Sequence, residues 1–294
     1  MFARRHPFLF FLLIMGAMAL SGLFLVMAMV VSISGERQDP RGEKVGVVEI
    51  VGPIYNSKKI VRDIRKFREH KEVKAILLRI DSPGGGVGPS QEVYREVQKT
   101  SATKKVVVSM GGVAASGGYY IAAAADGIVA NPGTITGSIG VIMGFTNFEE
   151  LMRKIGLSPV VIKSGTYKDM GSPARPMTDE ERRLLNDLAL KIHRQFVKAI
   201  AQGRKVPLDQ VEAIADGRIF SGEEAKELGL VDRLGNFEDA LQWAGELGGI
   251  EGQVNTIYPR KEELSWLREI LMTTLRLWSE NRFQNMPAAQ YHMQ

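Results

Sequence analysis

The sequence predicts an α/β domain with mostly parallel strands, preceded by one long apolar segment at the N-terminus. Short apolar runs that suit buried strands alternate with amphipathic segments that suit helices. Glycine-rich turns separate these elements. The 294 residues, of which 45% are hydrophobic, are enough to build one large domain or two small ones.

The composition excludes several classes of protein. Charged residues make up 24% of the chain and the formal net charge is +5, with Lys and Arg mixed among Asp and Glu. No basic stripe with interleaved aromatic residues is visible, so we predict no nucleic-acid partner. Cysteine is absent, which excludes disulfides, thiolate nucleophiles and zinc sites built on Cys.

The apolar segment covers residues 7–34 and contains no charged residue. As a helix its 28 residues would extend roughly 40 Å, more than the roughly 30 Å hydrocarbon core of a bilayer. Arg4 and Arg5 precede it, which predicts a single-pass cell-membrane protein with a cytoplasmic N-terminus and an extracytoplasmic domain. A cleaved signal peptide is the alternative, but its apolar region is usually only about 7–15 residues long.

The composition predicts four parts of the chain. They are a cytoplasmic tip with the transmembrane anchor, a polar linker, the α/β domain and a C-terminal helical extension, with bounds 1–35, 36–44, 45–250 and 251–294. The extension has apolar residues at helical spacing over residues 262–278. The sequence does not indicate what this extension does.

Within the domain, the patterns predict alternating strands and helices. The predicted strands are 45–51, 75–81, 105–110, 127–130, 139–143 and 159–163. The predicted helices are 57–71, 89–100, 116–125, 147–155 and 178–202. The run 75–81 is nearly all apolar, which indicates a strand buried on both faces, and Thr178 and Glu181 have capping-box spacing.

One strand-to-helix junction has the features of a nucleophile site. After a predicted turn at 111–115, Ser116 begins a helix whose first N–H groups and positive dipole end are unpaired. Gly117 follows it and leaves room for a substrate backbone. The glycine-rich loop 84–86 after the neighbouring strand could add N–H donors for an oxyanion. A helix N-cap with tight packing is the alternative interpretation.

A serine nucleophile needs a base, and the chain has only four histidines. None follows the end of a predicted strand, which favours a lysine base. A lysine base must be neutral, and lowering its pKa from about 10.4 to about 7.5 requires roughly 4 kcal/mol of differential solvation. Lys163 ends a predicted buried strand and Lys168 lies in the loop after it, although a solvated surface loop is the alternative. Asp169 would favour the charged form of Lys168 if the two side chains met.

Five motifs occur in an order that resembles the signal peptide peptidase A family, in its short form with one N-terminal anchor. They are DSPGGG (81–86), SMGGVAASGGYYIAAAAD (109–126), TGSIGV (136–141), IKSGTYKDMGSP (162–173) and ADGRIFSGEEAKELGLVD (215–232). The resemblance covers roughly residues 45–245. It implies the Clp protease/crotonase fold, a spiral of ββα units.

The resemblance also implies roles for individual residues. It implies that Ser116 is the nucleophile, that Lys168 is the general base and that Ser138 orients the lysine. It implies oxyanion donors at Gly85, with Gly84 and Gly117 nearby, and at the backbone N–H of Ser116. It implies neither metal nor cofactor, a ring-shaped or dome-shaped homo-oligomer, and cleaved signal peptides as substrates.

Two other functions stay open from the sequence. A membrane-tethered scaffold on a crotonase-like fold would need none of the catalytic groups, so the presence of Ser116, Lys168 and Ser138 argues against it. A crotonase-like acyl-CoA enzyme would also use glycine-rich oxyanion loops. An anchor that places the domain outside the cytoplasm makes a CoA substrate a poor fit.

Overall fold

The computed structural model of this protein describes residues 2–33 and 42–259, which fall into two compact units divided after Gly42. The first unit contains two helices, α1 (Phe2–Arg5) and α2 (Pro7–Ile33). Within the described residues, no helix was found with the length and hydropathy needed to cross a membrane. The transmembrane helix therefore stays a prediction.

The second unit is built on one mixed sheet. Its strands in the described residues are β1 (Lys44–Val51), β2 (Val73–Ser82), β3 (Lys105–Ala115), β4 (Gly127–Ala130), β5 (Ile135–Gly137), β6 (Ile219–Ser221), β7 (Arg233–Leu234) and β8 (Asn255–Ile257). The main order is β6-β5-β3-β2-β1-β8, and β4 pairs with β3 and β7. All these pairs are parallel except β5 with β6. The predicted α/β class is confirmed.

Helices connect and cover these strands. They are α3 (Lys58–Glu69), α4 (Val87–Ser101), α5 (Gly117–Ala122), α6 (Glu149–Lys154), α7 (Asp179–Arg204), α8 (Leu208–Ile214), α9 (Gly222–Glu227) and α10 (Phe237–Gly248). The predicted capping box is present at the start of α7, where Thr178 accepts from the Glu181 N–H and Glu181 accepts from the Thr178 N–H.

The core lies on both faces of the sheet. Alternate side chains of β2 enter different clusters, because successive strand residues point to opposite faces. Ile76, Leu78 and Ile80 join the larger cluster, with residues of α3, α4, α5 and α7. Ala75 and Leu77 join a smaller cluster with α10. The prediction that this strand is buried on both faces is confirmed.

Strand β3 is longer than predicted, and this extension positions the candidate nucleophile. The turn predicted at 111–115 is wrong, since β3 runs on to Ala115. Its first half pairs with β4, and its second half pairs with β5. Glycine at 111 reflects close packing, because a Cβ there would lie 2.8 Å from Cγ of Asp81.

Two predicted strands do not form. Residues 139–143 and 159–163 have neither helix nor strand structure, although both runs are apolar. A strand needs a hydrogen-bonded neighbour, and these residues have none among the described strands. Beyond residue 250, β8 pairs with β1 in parallel. The helical stripe predicted at 262–278 lies outside the described residues.

Candidate active site

Ser116 sits at a strained junction between β3 and α5. Its backbone angles are φ 52° and ψ −119°, a region that costs a residue with a side chain about 1–3 kcal/mol. Two hydrogen bonds hold it there. Its N–H donates to the Gly137 carbonyl at 2.9 Å, and its own carbonyl accepts from the Tyr120 N–H at 2.8 Å. The strain fixes the direction in which the serine side chain points.

The Ser116 hydroxyl is available for chemistry. The residue is partly exposed, and its side chain does not cap α5. No hydrogen bond joins its hydroxyl to any side chain or backbone group among the described residues, histidines included. A hydroxyl without a partner can turn toward a bound substrate and an incoming base.

The glycine-rich loop after β2 packs directly on this junction. Gly84 has a φ of +98°, and a Cβ added there would lie 2.6 Å from the Gly117 nitrogen and 2.8 Å from Cβ of Ser116. Only glycine allows this approach. Ile54 anchors the loop, because its N–H donates to Gly84 and its carbonyl accepts from the Gly86 N–H, both at 2.9 Å.

Two backbone N–H groups beside Ser116 have no hydrogen-bond partner among the described residues, and they belong to Gly85 and Gly117. They lie close together, since a Cβ on Gly117 would lie 3.3 Å from the Gly85 nitrogen. Two unpaired amides next to a serine form a suitable site for a negatively charged oxygen. The Ser116 N–H is not available as an oxyanion donor, because it donates to Gly137.

Ser138 lies next to the residue that pairs with Ser116. It follows β5 with a φ of 51°, and its N–H donates to the Arg218 carbonyl at 2.8 Å. Its predecessor, Gly137, accepts the Ser116 N–H at 2.9 Å. The β3–β5 pairing therefore brings the two serines to the same end of the sheet.

The single chain does not join Lys168 to this group. Lys168 is exposed, in a turn where its N–H donates to the Gly165 carbonyl at 3.2 Å. Its amine makes no hydrogen bond or ion pair with any described residue. Of the predicted residues, the structure thus brings together Ser116, Ser138 and the glycines, and it leaves Lys168 apart.

Asp169 does not pair with Lys168. Its carboxylate binds the Lys163 amine at 2.7 Å and the Arg175 guanidinium at 2.9 and 3.0 Å. Arg175 also donates to Glu181, the residue of the α7 capping box. Sequence reasoning missed this cluster of charges, whose only signal was a mixture of acidic and basic residues between positions 163 and 181.

A cavity of about 600 Å³ lies between segment 141–147, segment 171–177 and the first half of α7. Its walls combine apolar side chains, including Met143, Phe145 and Leu185, with the two arginines 175 and 182. None of the predicted site residues lines it. We place the chemistry at Ser116, because the strained serine and the unpaired amides are there.

The described residues contain no group of His, Asp and Glu side chains that could hold a metal ion. A strained serine with a free hydroxyl beside two unpaired amides is the arrangement that serine peptidases use to attack a carbonyl and stabilise the oxyanion.

Comparison with known proteins agrees with this class. Residues 98–251 match the profile of Peptidase family S49, and residues 46–131 match that of Clp protease. The first match covers more than half of the chain, so this protein belongs to peptidase family S49 and is a serine peptidase. The resemblance to the signal peptide peptidase A family is confirmed. The Clp protease match supports the implied fold, while the spiral of ββα units stays a prediction.

Three relatives illustrate the similarity. A putative protease of Synechocystis is 46% identical over 77% of this chain and 80% of its own length. A putative signal peptide peptidase SppA of Enterococcus faecium is 40% identical over 64% of this chain and 55% of its own. A chloroplastic serine protease SPPA of Arabidopsis thaliana is 37% identical over 70% of this chain and 30% of its own.

Proposed function

We propose that this protein is a membrane-anchored endopeptidase that hydrolyses cleaved signal peptides with a Ser116–Lys168 dyad. The observation that carries the proposal is the placement of Ser116, whose free hydroxyl sits on a strained backbone beside the unpaired N–H groups of Gly85 and Gly117. The relative named as a signal peptide peptidase supports the substrate class.

In this mechanism Ser116 attacks the carbonyl carbon of the scissile peptide bond. The carbonyl oxygen becomes an oxyanion, and the Gly85 and Gly117 amides donate hydrogen bonds to it. Because these amides are already in place and unpaired, they stabilise the transition state without rearrangement. Loss of one such donor typically reduces kcat by about 100- to 1,000-fold.

Lys168 acts as the general base in the proposal. Its neutral amine takes the proton from the Ser116 hydroxyl and then gives it to the leaving amine. Water hydrolyses the resulting acyl-enzyme, with Lys168 accepting a proton from the water and returning it to the Ser116 oxygen as the acyl bond breaks. Ser138 orients the amine by a hydrogen bond. Lys168 is exposed in the single chain and makes no hydrogen bond to Ser116, so the dyad forms only where Lys168 and Ser116 are brought together in the working protein.

We also propose a homo-oligomer, in the form of a ring or dome. The stretch between β5 and α7, which includes Lys168, exposes large apolar side chains. Ile142 is 98% exposed, Val160 87% and Ile162 96%. Exposed apolar surface on this scale is typical of an interface. Analytical ultracentrifugation of the detergent-solubilised chain should give one large species, and an Ile162→Glu variant should sediment as a smaller one. A wild-type chain that sediments as a monomer would contradict the proposed homo-oligomer.

The anchor and the cellular location are part of the same proposal. They rest on the sequence of α2, whose 27 residues include no charged side chain and would extend about 40 Å. They go beyond the structure, in which no membrane-crossing helix is found among the described residues. We expect the chain to remain in membranes washed with alkaline carbonate, with the peptidase domain degraded by protease added from the extracytoplasmic side. Release by the wash would contradict the anchor.

Hydrolysis of a synthetic signal peptide by the full chain in detergent tests the activity. Ser116→Ala should abolish cleavage while the circular dichroism spectrum and melting temperature are retained. Lys168→Ala should reduce the rate comparably, because members of a catalytic unit fail together. Lys154→Ala, in exposed α6, is the matched control and should retain the wild-type rate.

The substrate class needs a second comparison. Signal peptides are apolar, so an enzyme that degrades them should prefer an apolar sequence. A polar peptide of the same length should therefore be cleaved more slowly than the signal peptide. Equal rates of cleavage of the two peptides would contradict signal peptides as the substrate class. Full activity of Lys168→Ala would contradict the role of Lys168 as the base.

A further inference from the structure

Four charged side chains surround the turn that carries Lys168. Lys163 and Asp169 lie on either side of the turn, Arg175 follows it, and Glu181 belongs to the first turn of α7. Two are basic and two are acidic, so the cluster has no net charge. The turn is therefore tied to α7 by charge-assisted hydrogen bonds, which are stronger than those between neutral groups.

The Asp169 carboxylate accepts three hydrogen bonds within this cluster. One carboxylate oxygen accepts from Lys163 at 2.7 Å and from Arg175 at 3.0 Å, and the other accepts from Arg175 at 2.9 Å. Only 13% of the side chain is exposed. The Arg175 hydrogen bonds, followed by that from Lys163, hold the pKa of Asp169 well below its usual range. The carboxylate is therefore ionised and held by three charge-assisted hydrogen bonds.

Lys168 has the opposite surroundings. It is the immediate neighbour of Asp169 in sequence, but its amine makes no ion pair or hydrogen bond with any described residue. The charged groups that face Asp169 are Lys163 and Arg175, and Glu181 lies beyond Arg175. Each acid in this cluster is thus directed at a base other than Lys168.

We propose that Arg175 and Lys163 are positioning residues that hold the Asp169 carboxylate away from Lys168, so that the lysine amine can lose its proton. The inference rests on the proposed role of Lys168 as the base. The two cations act through Asp169 and do not touch the substrate.

The physical reason is the effect of a carboxylate on an ammonium group. An opposite charge within about 4–6 Å shifts a pKa by about 1–3 units toward the charged form. If Asp169 turned to Lys168, its negative charge would favour the ammonium form and leave less of the neutral base. A base in that state would work only at higher pH.

The pH dependence of kcat/KM for peptide hydrolysis between pH 6 and 10 tests this proposal. Arg175→Gln in the full chain should shift the acidic limb of the kcat/KM profile to higher pH by about one pH unit. The rate of peptide hydrolysis at neutral pH should fall about tenfold. The double variant Arg175→Gln/Asp169→Asn should return the limb to the wild-type position, because the released carboxylate is gone. Arg183→Gln, exposed on α7, is the matched control and should leave the profile unchanged.

A purely structural role would give a different result. Arg175→Gln would then lose activity equally at every pH, and Asp169→Asn would not restore it. If Arg175→Gln does not fold, Lys163→Gln leaves the Arg175–Glu181 contact intact and should give a smaller shift in the same direction, again cancelled by Asp169→Asn. The proposal is overturned if the acidic limb of the kcat/KM profile does not move in the folded variants. It is also overturned if the limb moves and Asp169→Asn does not return it to the wild-type position.

The two proposals fail in different ways. If Lys168→Met hydrolyses peptide at the wild-type rate, Lys168 is not the base and the proposed function is wrong. If Lys168→Met is inactive but the acidic limb stays fixed in the Arg175 and Lys163 variants, the base is right and the positioning role is wrong.

Discussion

At the residue scale, the site depends on backbone positions that only a few residue types can occupy. Ser116 has a positive φ of 52°, held by hydrogen bonds at its N–H and carbonyl. Gly84 lies against it, and its own φ is +98°. The close approach of Gly84 to the Ser116 Cβ and the Gly117 nitrogen sets the distance between the nucleophile and the glycine-rich loop.

Gly84→Ala should therefore damage both stability and activity. Its Cβ would lie 2.6 Å from a backbone nitrogen, and its φ is unfavourable for alanine. Together these effects should lower the free energy of unfolding by about 2–4 kcal/mol. Denaturant unfolding of the full chain in detergent, with peptide hydrolysis in parallel, measures both losses.

Gly88→Ala is the control for this substitution. Gly88 lies in α4, and a Cβ there would meet no atom within 4 Å. Alanine in a helix should leave stability unchanged or raise it by up to about 1 kcal/mol. Equal effects of the two substitutions would mean that the contact between Gly84 and Ser116 does not form.

At the element scale, the start of α7 fixes the turn that carries the proposed base. Glu181 closes the capping box with Thr178 and also binds Arg175. The Arg175 hydrogen bond, followed by that from the Thr178 N–H, lowers the pKa of Glu181 to about 2. Arg175 in turn holds Asp169, one residue after Lys168.

Acid should release this turn before the sheet unfolds. Since the pKa of Glu181 is lowered on folding from 4.5 to about 2, its contribution to stability is present above pH 4.5 and lost as the pH falls toward 2. Hydrogen exchange, corrected for its intrinsic pH dependence, should show residues 169–181 losing protection across this range.

The Glu181→Gln variant isolates the titrating group. Its protection over residues 169–181 should already be low at pH 7 and should change less between pH 4.5 and 2. Wild-type protection that stays constant down to pH 2 would mean that Glu181 does not tie the turn to α7.

At the scale of the whole molecule, local patterns predicted those elements whose causes are local. The apolar run of β2, the capping residues Thr178 and Glu181, and the Ser116 junction were all readable from sequence. The family motifs added the candidate site residues, and the structure groups Ser116, Ser138 and the glycines at one end of the sheet.

The features that sequence missed depend on distant partners. The two glycines in residues 111–115 predicted a turn. In the structure these residues extend β3, and Gly111 packs against Asp81. The apolar residues in 159–163 predicted a strand, but no described strand pairs with them. The sequence predicted that Asp169 would favour the charged form of Lys168 if the two side chains met, but the Asp169 carboxylate binds Arg175, six residues later.

The central claim, that Ser116 is activated by Lys168, is tested most directly by the rate at which a fluorophosphonate labels Ser116 in the full chain at pH 8. The account predicts rapid labelling of the wild type and of Lys154→Ala, none of Ser116→Ala, and labelling of Lys168→Ala at least 100-fold slower, since general-base catalysis contributes about 100- to 10,000-fold. Labelling of Lys168→Ala at the wild-type rate, or of Ser116→Ala at the active site, would contradict it.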